Sequence, residues 1–185
     1  MNNFIYENKT KVYFGKDTVK EYLGSLLGNY GETVMLAYGG GSIKRNGVYD
    51  EIMGILNAQG KCVVEFSGIM SNPTYAKVQD GAKLARGNHV DLILAVGGGS
   101  VIDSAKAIGY GLANDGDVWD FYEHTRQASA CLPIGVVLTI AASGSEMSNS
   151  SVITNDETLE KRGYNNDISR PVFAVMNPEI TMTLP

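Results

Sequence analysis

The stretch that decides the fold is residues 92–113, LILAVGGGSVIDSAKAIGYGLA. Its first five residues form an unbroken apolar run, which is typical of a strand buried on both faces of a parallel sheet. After three glycines and a serine, apolar residues recur at helical spacing, while the charged Asp103 and Lys106 lie off that stripe. The stretch therefore predicts a strand, a tight glycine-rich turn and a helix.

The glycine-rich turn, residues 97–100, is a candidate site for an anionic group such as a phosphate. The first N–H groups of a helix lack intrahelical partners and carry the positive end of the helix dipole. Glycine lets a ligand approach that backbone, and Ser100 can act as a cap or donor. The alternative is that the glycines only allow the strand and helix to pack closely. The pattern is neither G-x-G-x-x-G nor a P-loop, so both interpretations stay open.

The chain before this turn alternates strands with helices. Predicted strands cover 33–38 and 61–66 after an extended N-terminal segment, and predicted helices cover about 16–28, 44–58 and 75–86. Such alternation predicts an α/β fold, a Rossmann-like doubly wound parallel sheet with helices on both faces. Beyond residue 114, a short helix near Trp119, a strand ending near Thr139 and extended strands around 150–175 complete the pattern.

Three turns are predicted to share one edge of this sheet. A second glycine run, GGGS at 39–42, and the turn SNPT at 71–74 each follow a predicted strand, as does the turn at 97–100. Ligands of open α/β sheets bind outside the carboxyl ends of the strands. The three turns together favour nucleotide binding over packing alone.

Composition narrows the class of protein. The 185 residues suit one nucleotide-binding α/β domain spanning 1–185, and the net charge of -5 gives no reason to expect a nucleic acid or an anionic membrane as partner. The sequence contains no apolar run of membrane-spanning length and no signal-peptide core, so a cytoplasmic protein is expected. Cys62 and Cys131 lie in apolar surroundings without metal-type spacing, which predicts buried free thiols.

Five segments in order carry a family resemblance: YGGGS, NPTY, AVGGGSVIDSAKAIG, TIAASGSEMSNSSVITN and FAVMNPEITMTLP. They resemble the group III, iron-containing (metal-dependent) alcohol dehydrogenases, in particular the butanol dehydrogenase-like, aldehyde-reducing members. The resemblance covers essentially the whole chain. It implies an N-terminal cofactor domain and a separate helical domain that binds a divalent metal, iron or zinc. The implied reaction is hydride transfer between NAD(P)(H) and a small alcohol or aldehyde.

The resemblance also implies roles for individual residues. Gly98, Gly99 and Ser100 would contact the cofactor diphosphate, and Asp103 would point toward the nicotinamide ribose. The alternative for Asp103, the single catalytic candidate, is a carboxylate that only stabilises the helix N-terminus. The complete set of cofactor-contact candidates is Gly39, Gly40, Gly41, Ser42, Asn72, Gly97, Gly98, Gly99, Ser100, Asp103, Thr139, Ser143, Ser145 and Lys161.

The first glycine run bears on the choice of cofactor. Many NAD-binding sites place an acidic side chain beside the adenosine ribose. Residues 39–42 offer glycines and Ser42, with Lys44 and Arg45 directly behind. A 2′-phosphate would meet donors and positive charge there, so NADP(H) is favoured over NAD(H). The alternative is that both cations are exposed helix residues.

The metal site of the family is expected to lie in a helical domain absent from this chain, which offers no metal ligands at suitable spacing. The isolated chain is therefore expected to lack turnover. Two other functions remain open: a non-catalytic nucleotide-binding module, and a metal-dependent lyase of the dehydroquinate synthase type, which AASGSEMSNSS disfavours. A homodimer paired through the N-terminal segment is also expected, because that apolar edge needs cover.

Overall fold

A computed structural model describes residues 3–182 of the chain. Within that range the strands are β1 (Lys11–Phe14), β2 (Thr33–Tyr38), β3 (Cys62–Phe66), β4 (Leu92–Gly97), β5 (Ile134–Leu138), β6 (Ser150–Thr154), β7 (Lys161–Asn165) and β8 (Phe173–Met176). The helices are α1 (Thr18–Leu27), α2 (Ser42–Arg45), α3 (Val48–Ala58), α4 (Tyr75–Gly87), α5 (Gly99–Ala113) and α6 (Trp119–Tyr122). Short 3₁₀ turns cover Asp167–Ser169 and Pro178–Thr181.

The main sheet is parallel and has the strand order β1-β8-β5-β4-β2-β3. The chain leaves β2 toward β3 on one side and leaves β4 toward β5 on the other. The two neighbouring strands therefore feed connections that run in opposite directions. This is the topological switch point at which open α/β sheets form a crevice.

Helices cover both faces of the sheet, as the sequence predicts. On one face α1 and α3 bury residues such as Leu23 and Ile52 against Leu36 of β2. On the other face α4 and α5 bury residues such as Val78 and Ile102 against Ala95 of β4. The central strands are apolar on both faces because both are covered. The predicted Rossmann-like, doubly wound sheet is confirmed.

Two details differ from the sequence-based prediction. The helix expected at 44–58 is split into α2 and α3, because Gly47 adopts a left-handed conformation with φ of 81° that no α-helix accommodates. Cys62 is exposed, since β3 is an edge strand and leaves one flank open to solvent. The extended N-terminal segment contributes one strand, β1, at the edge of the sheet.

Strands β6 and β7 form a separate antiparallel hairpin that packs against α5 and α6. Its Ile153 and Tyr164 are buried in the core shared with α5. At its edge the Thr154 amide donates to the carbonyl of Pro73 at 2.9 Å, which joins the hairpin to the turn before α4. Among residues 3–182, helices long and apolar enough to cross a membrane are absent. The final TLP of the last motif lies outside the described residues.

Candidate nucleotide-binding site

The candidate site lies at the carboxyl ends of β2 and β4, where the two glycine runs begin. Both runs sit at the switch point between diverging connections. A Cβ built on Gly39 would come within 4.0 Å of Val101, a residue in the first turn of α5. The first run therefore packs close to the helix that follows the second run.

The first glycine run borders an open cleft of about 260 Å³. A Cβ built on Gly40 or Gly41 would meet nothing within 4 Å, so the space above both residues is free. Gly41 has a φ of 95°, a conformation that favours glycine. The cleft is lined also by Tyr38, Lys44 and Gly68. A ligand in this cleft would meet exposed backbone, with one cation beside it.

A charge cluster next to this cleft centres on Glu65 of β3, which sequence reasoning missed. Its two carboxylate oxygens accept hydrogen bonds from the Tyr38 and Tyr49 hydroxyls, both at 2.6 Å. These two hydrogen bonds hold the pKa of Glu65 below its ordinary value. The Lys44 ammonium lies 3.5 Å from the carboxylate and 4.3 Å from the centre of the Tyr49 ring. The positive charge predicted at this position is present but partly compensated.

The second glycine run is covered by the loop of residues 139–149 between β5 and β6, which we call the serine-rich loop. A Cβ built on Gly98 would lie 2.3 Å from Cγ2 of Ile140, and one built on Gly99 would lie 2.4 Å from Oγ of Ser143. The Thr139 amide donates to the Gly97 carbonyl at 3.1 Å. These contacts support the interpretation that the glycines allow close packing of the loop, and their contact with a ligand stays a prediction.

Asp103 faces the end of the serine-rich loop rather than open solvent. Its carboxylate accepts from the Ser145 hydroxyl at 2.6 Å and from the Val152 amide at 3.2 Å. Burial raises the pKa of Asp103 above its ordinary value, although the hydrogen bond from Ser145 opposes this shift. The predicted residues Asp103 and Ser145 thus lie in direct contact. Their contact also means that the Ser145 hydroxyl, which is buried, is already engaged within the protein.

Lys106 is the main residue whose placement the sequence reasoning missed. Lying off the apolar stripe, it would normally be a solvated charge, but it is fully buried. Its ammonium donates to the carbonyls of Ser145, Ser148 and Ser150 at 2.8 to 2.9 Å and to the Ser145 hydroxyl at 3.0 Å. The available signal was the i,i+3 spacing of Asp103 and Lys106, which places both on one helix face.

Asn72 and Lys161 form a further contact at the rim. The Lys161 ammonium, on β7, donates to the side-chain oxygen of Asn72 at 2.8 Å. Asn72 has a left-handed φ of 56° in the turn before α4. The positive charge of Lys161 also acts to lower the pKa of Asp103. The structure thus brings the hairpin, the SNPT turn and α5 to the same part of the rim.

Metal-binding clusters of three or more His, Cys, Asp or Glu residues are absent among residues 3–182. The divalent metal implied by the family resemblance therefore has no set of ligands in the part of the chain that the structure describes. We assign no step to a metal within these residues.

The family model for "Iron-containing alcohol dehydrogenase" matches residues 9–178. The chain belongs to the iron-containing alcohol dehydrogenase family. "Probable NADH-dependent butanol dehydrogenase 2" of Bacillus subtilis is 50% identical over the whole chain, which covers 47% of that protein. "NADPH-dependent aldehyde reductase YqhD" of Escherichia coli is 36% identical, again over the whole chain and 48% of its own length.

Solved structures of this family show the same fold. The crystal structure of NADH-dependent butanol dehydrogenase A from Thermotoga maritima matches with a TM-score of 0.96 at 42% identity, over all of this chain and 46% of the other. The chain thus spans about half the length of the iron-containing alcohol dehydrogenases that it matches. These relatives include both NADH- and NADPH-dependent enzymes.

Proposed function

We propose that this chain is the cofactor-binding domain of an NAD(P)-dependent alcohol dehydrogenase or aldehyde reductase. The observation that carries the proposal is the position of the two glycine runs at the switch point of the sheet, with an open cleft above the first run and the serine-rich loop over the second. Membership of the iron-containing alcohol dehydrogenase family supports a dehydrogenase over a lyase. Relatives named as butanol dehydrogenases and aldehyde reductases support a small alcohol or aldehyde as substrate.

We infer roles for these residues from their positions at the switch point. We propose that the amides of Gly98, Gly99 and Ser100 at the N-terminus of α5 bind the diphosphate, since this helix end is positive. The open cleft above Gly40 and Gly41 would receive the adenosine ribose. The remaining candidates on the rim, Gly39, Ser42, Asn72, Gly97, Thr139, Ser143 and Lys161, would line the path between these two groups.

We propose NADP(H) as the favoured cofactor, with a small margin. Lys44 stands beside the cleft where a 2′-phosphate would lie. Its charge is paired with Glu65, and both side chains are about half exposed, so the net attraction for a phosphate is weakened by the pair and by solvent. We expect NADPH to bind less than about tenfold more tightly than NADH.

In the reaction, these residues would bind and orient the cofactor so that one face of the nicotinamide meets the substrate. A divalent metal supplies the polarisation of a substrate oxygen in such enzymes, and residues 3–182 offer no cluster to hold one. We therefore propose that the 185-residue chain binds cofactor without turnover. We also propose that two copies pair through their N-terminal segments.

The test is titration of the purified chain with NADPH and NADH, followed by cofactor fluorescence. Gly40→Val should abolish binding without unfolding the chain, because a side chain at Gly40 meets only the open cleft. Gly87→Val is the matched control, since a Cβ there is equally unobstructed but lies at the end of α4. Equal affinity of the wild type and Gly40→Val would contradict the proposed site, and absence of binding by the wild type would contradict the function.

A further inference from the structure

The buried ammonium of Lys106 is directed entirely at one segment of the chain. Its four acceptors belong to Ser145, Ser148 and Ser150, at the end of the serine-rich loop and the start of β6. An ammonium has three N–H donors, so at least one is shared between two oxygens. A neutral amine has only two donors and would leave acceptors unpaired. The charged form is therefore the one that fits this position.

The neighbouring Asp103 completes the attachment. It lies one helical turn before Lys106, and its carboxylate accepts from the Ser145 hydroxyl and the Val152 amide. Its own carbonyl accepts from the Ser151 hydroxyl at 2.9 Å. Helix α5 thus holds the segment 145–152 at several points through two side chains and one carbonyl.

The same loop determines the shape of the rim. Its exposed first half places Ile140 against Gly98 and Ser143 against Gly99, directly at the N-terminus of α5. Its second half is attached to α5 through Lys106. Removal of the ammonium would take one donor from each of the Ser145, Ser148 and Ser150 carbonyls and remove a cation that lowers the pKa of the partly buried Asp103, which is costly in a low-dielectric interior. The loop would then lose its fixed position over the glycines.

We propose that Lys106 is a positioning residue for cofactor binding, holding the serine-rich loop against the second glycine turn before the diphosphate arrives. This inference rests on the proposed function, because it concerns the same site. Lys106 itself does not touch the cofactor; it acts through the carbonyls of the loop.

Lys106 carries its charge at the pH of the test below. Burial lowers the pKa of Lys106 to about 8, so the ammonium is the main form at pH 7. The four hydrogen bonds are therefore those of the charged side chain at pH 7.

The experiment compares the wild-type chain, Lys106→Met and the control Lys20→Met, whose lysine is exposed on α1. NADH affinity is measured by fluorescence at pH 7, and amide hydrogen exchange is followed at residues 143–149. We expect Lys106→Met to weaken NADH binding at least about tenfold and to accelerate exchange in the loop, while exchange in β2 and β4 is unchanged. Lys20→Met should match the wild type in both measurements.

Affinity of Lys106→Met within twofold of the wild type at pH 7 would overturn the inference while leaving the proposed function intact. If Lys106→Met does not fold, Lys106→Gln decides in its place, because the glutamine amide offers fewer donors than the ammonium: unchanged NADH affinity and unchanged exchange at residues 143–149 overturn the inference. A wild type that binds neither NADH nor NADPH contradicts both the inference and the proposed function.

Discussion

At the scale of single residues, the environment of a side chain can reverse what its chemical type suggests. The two cysteines occupy similar apolar stretches of sequence, yet Cys62 is exposed on an edge strand. The sulfur of Cys131 packs on Gly109 of α5 and donates weakly to the Lys106 carbonyl at 3.9 Å. The same apolar neighbours therefore accompany one accessible thiol and one that is held against a helix.

This difference predicts unequal reactivity. Since burial raises the pKa of the Cys131 thiol to about 12, very little thiolate forms there at pH 8. We expect iodoacetamide at pH 8 to modify Cys62 at least about a hundredfold faster than Cys131, as measured by peptide mass spectrometry. Denatured chain is the control and should react at both positions. Similar rates in the folded protein would contradict the placement of Cys131.

The raised pKa of the Cys131 thiol also predicts how the free energy of unfolding changes at alkaline pH. The unfolded thiol loses its proton near pH 9 while the folded one keeps it, so this stabilising contribution is complete below pH 9. It is lost as the pH rises from 9 toward 12. The free energy of unfolding of Cys131→Ala should therefore fall less with pH over this interval than that of the wild type, as measured by urea denaturation at each pH. An identical pH profile for the two proteins would argue against a buried thiol.

At the scale of elements, backbone conformation decides where α2 ends and α3 begins. Gly47 has a φ of 81°, whereas Gly54 lies within α3, and a Cβ at either position would meet nothing within 4 Å. The substitution by alanine therefore isolates the backbone effect. Gly47→Ala should destabilise the fold by about 1 kcal/mol, and Gly54→Ala should stabilise it by roughly 0.5–1 kcal/mol. Urea denaturation of the two variants gives both free energies, and equal signs would contradict the break in the helix.

At the scale of the whole molecule, the N-terminal segment presents apolar side chains to solvent. Phe4, Tyr6 and Phe14 are exposed, and Ile5 is 98% exposed, beside the edge strand β1. Such an edge favours pairing with a second copy. We expect the chain to dimerise and Ile5→Glu to shift it toward monomer, measured by light scattering. Leu159→Glu is the control, because Leu159 is another exposed apolar residue at 82%, and a monomeric wild type would refute the pairing.

Much of this architecture could be predicted from the sequence because it depends on local patterns. Apolar runs ending in glycine predict buried parallel strands followed by helices, and their alternation predicts the doubly wound sheet. The two glycine runs could likewise be placed at one edge, because the carboxyl ends of parallel strands coincide. By contrast, the break at Gly47 could not be predicted, because only some glycines adopt a left-handed conformation and the sequence does not show which ones do.

The sequence by itself determined the fold class, the family and the edge of the sheet that carries both glycine runs, since periodicity and motif spacing are properties of neighbouring residues. Only the tertiary structure decided which charges are paired. Glu65 on β3 meets Lys44 on α2, and Lys106 meets carbonyls about forty residues along the chain. Such contacts depend on the strand order and on the packing of α5 against β6, because burial and pairing of a charge follow from what surrounds it in space.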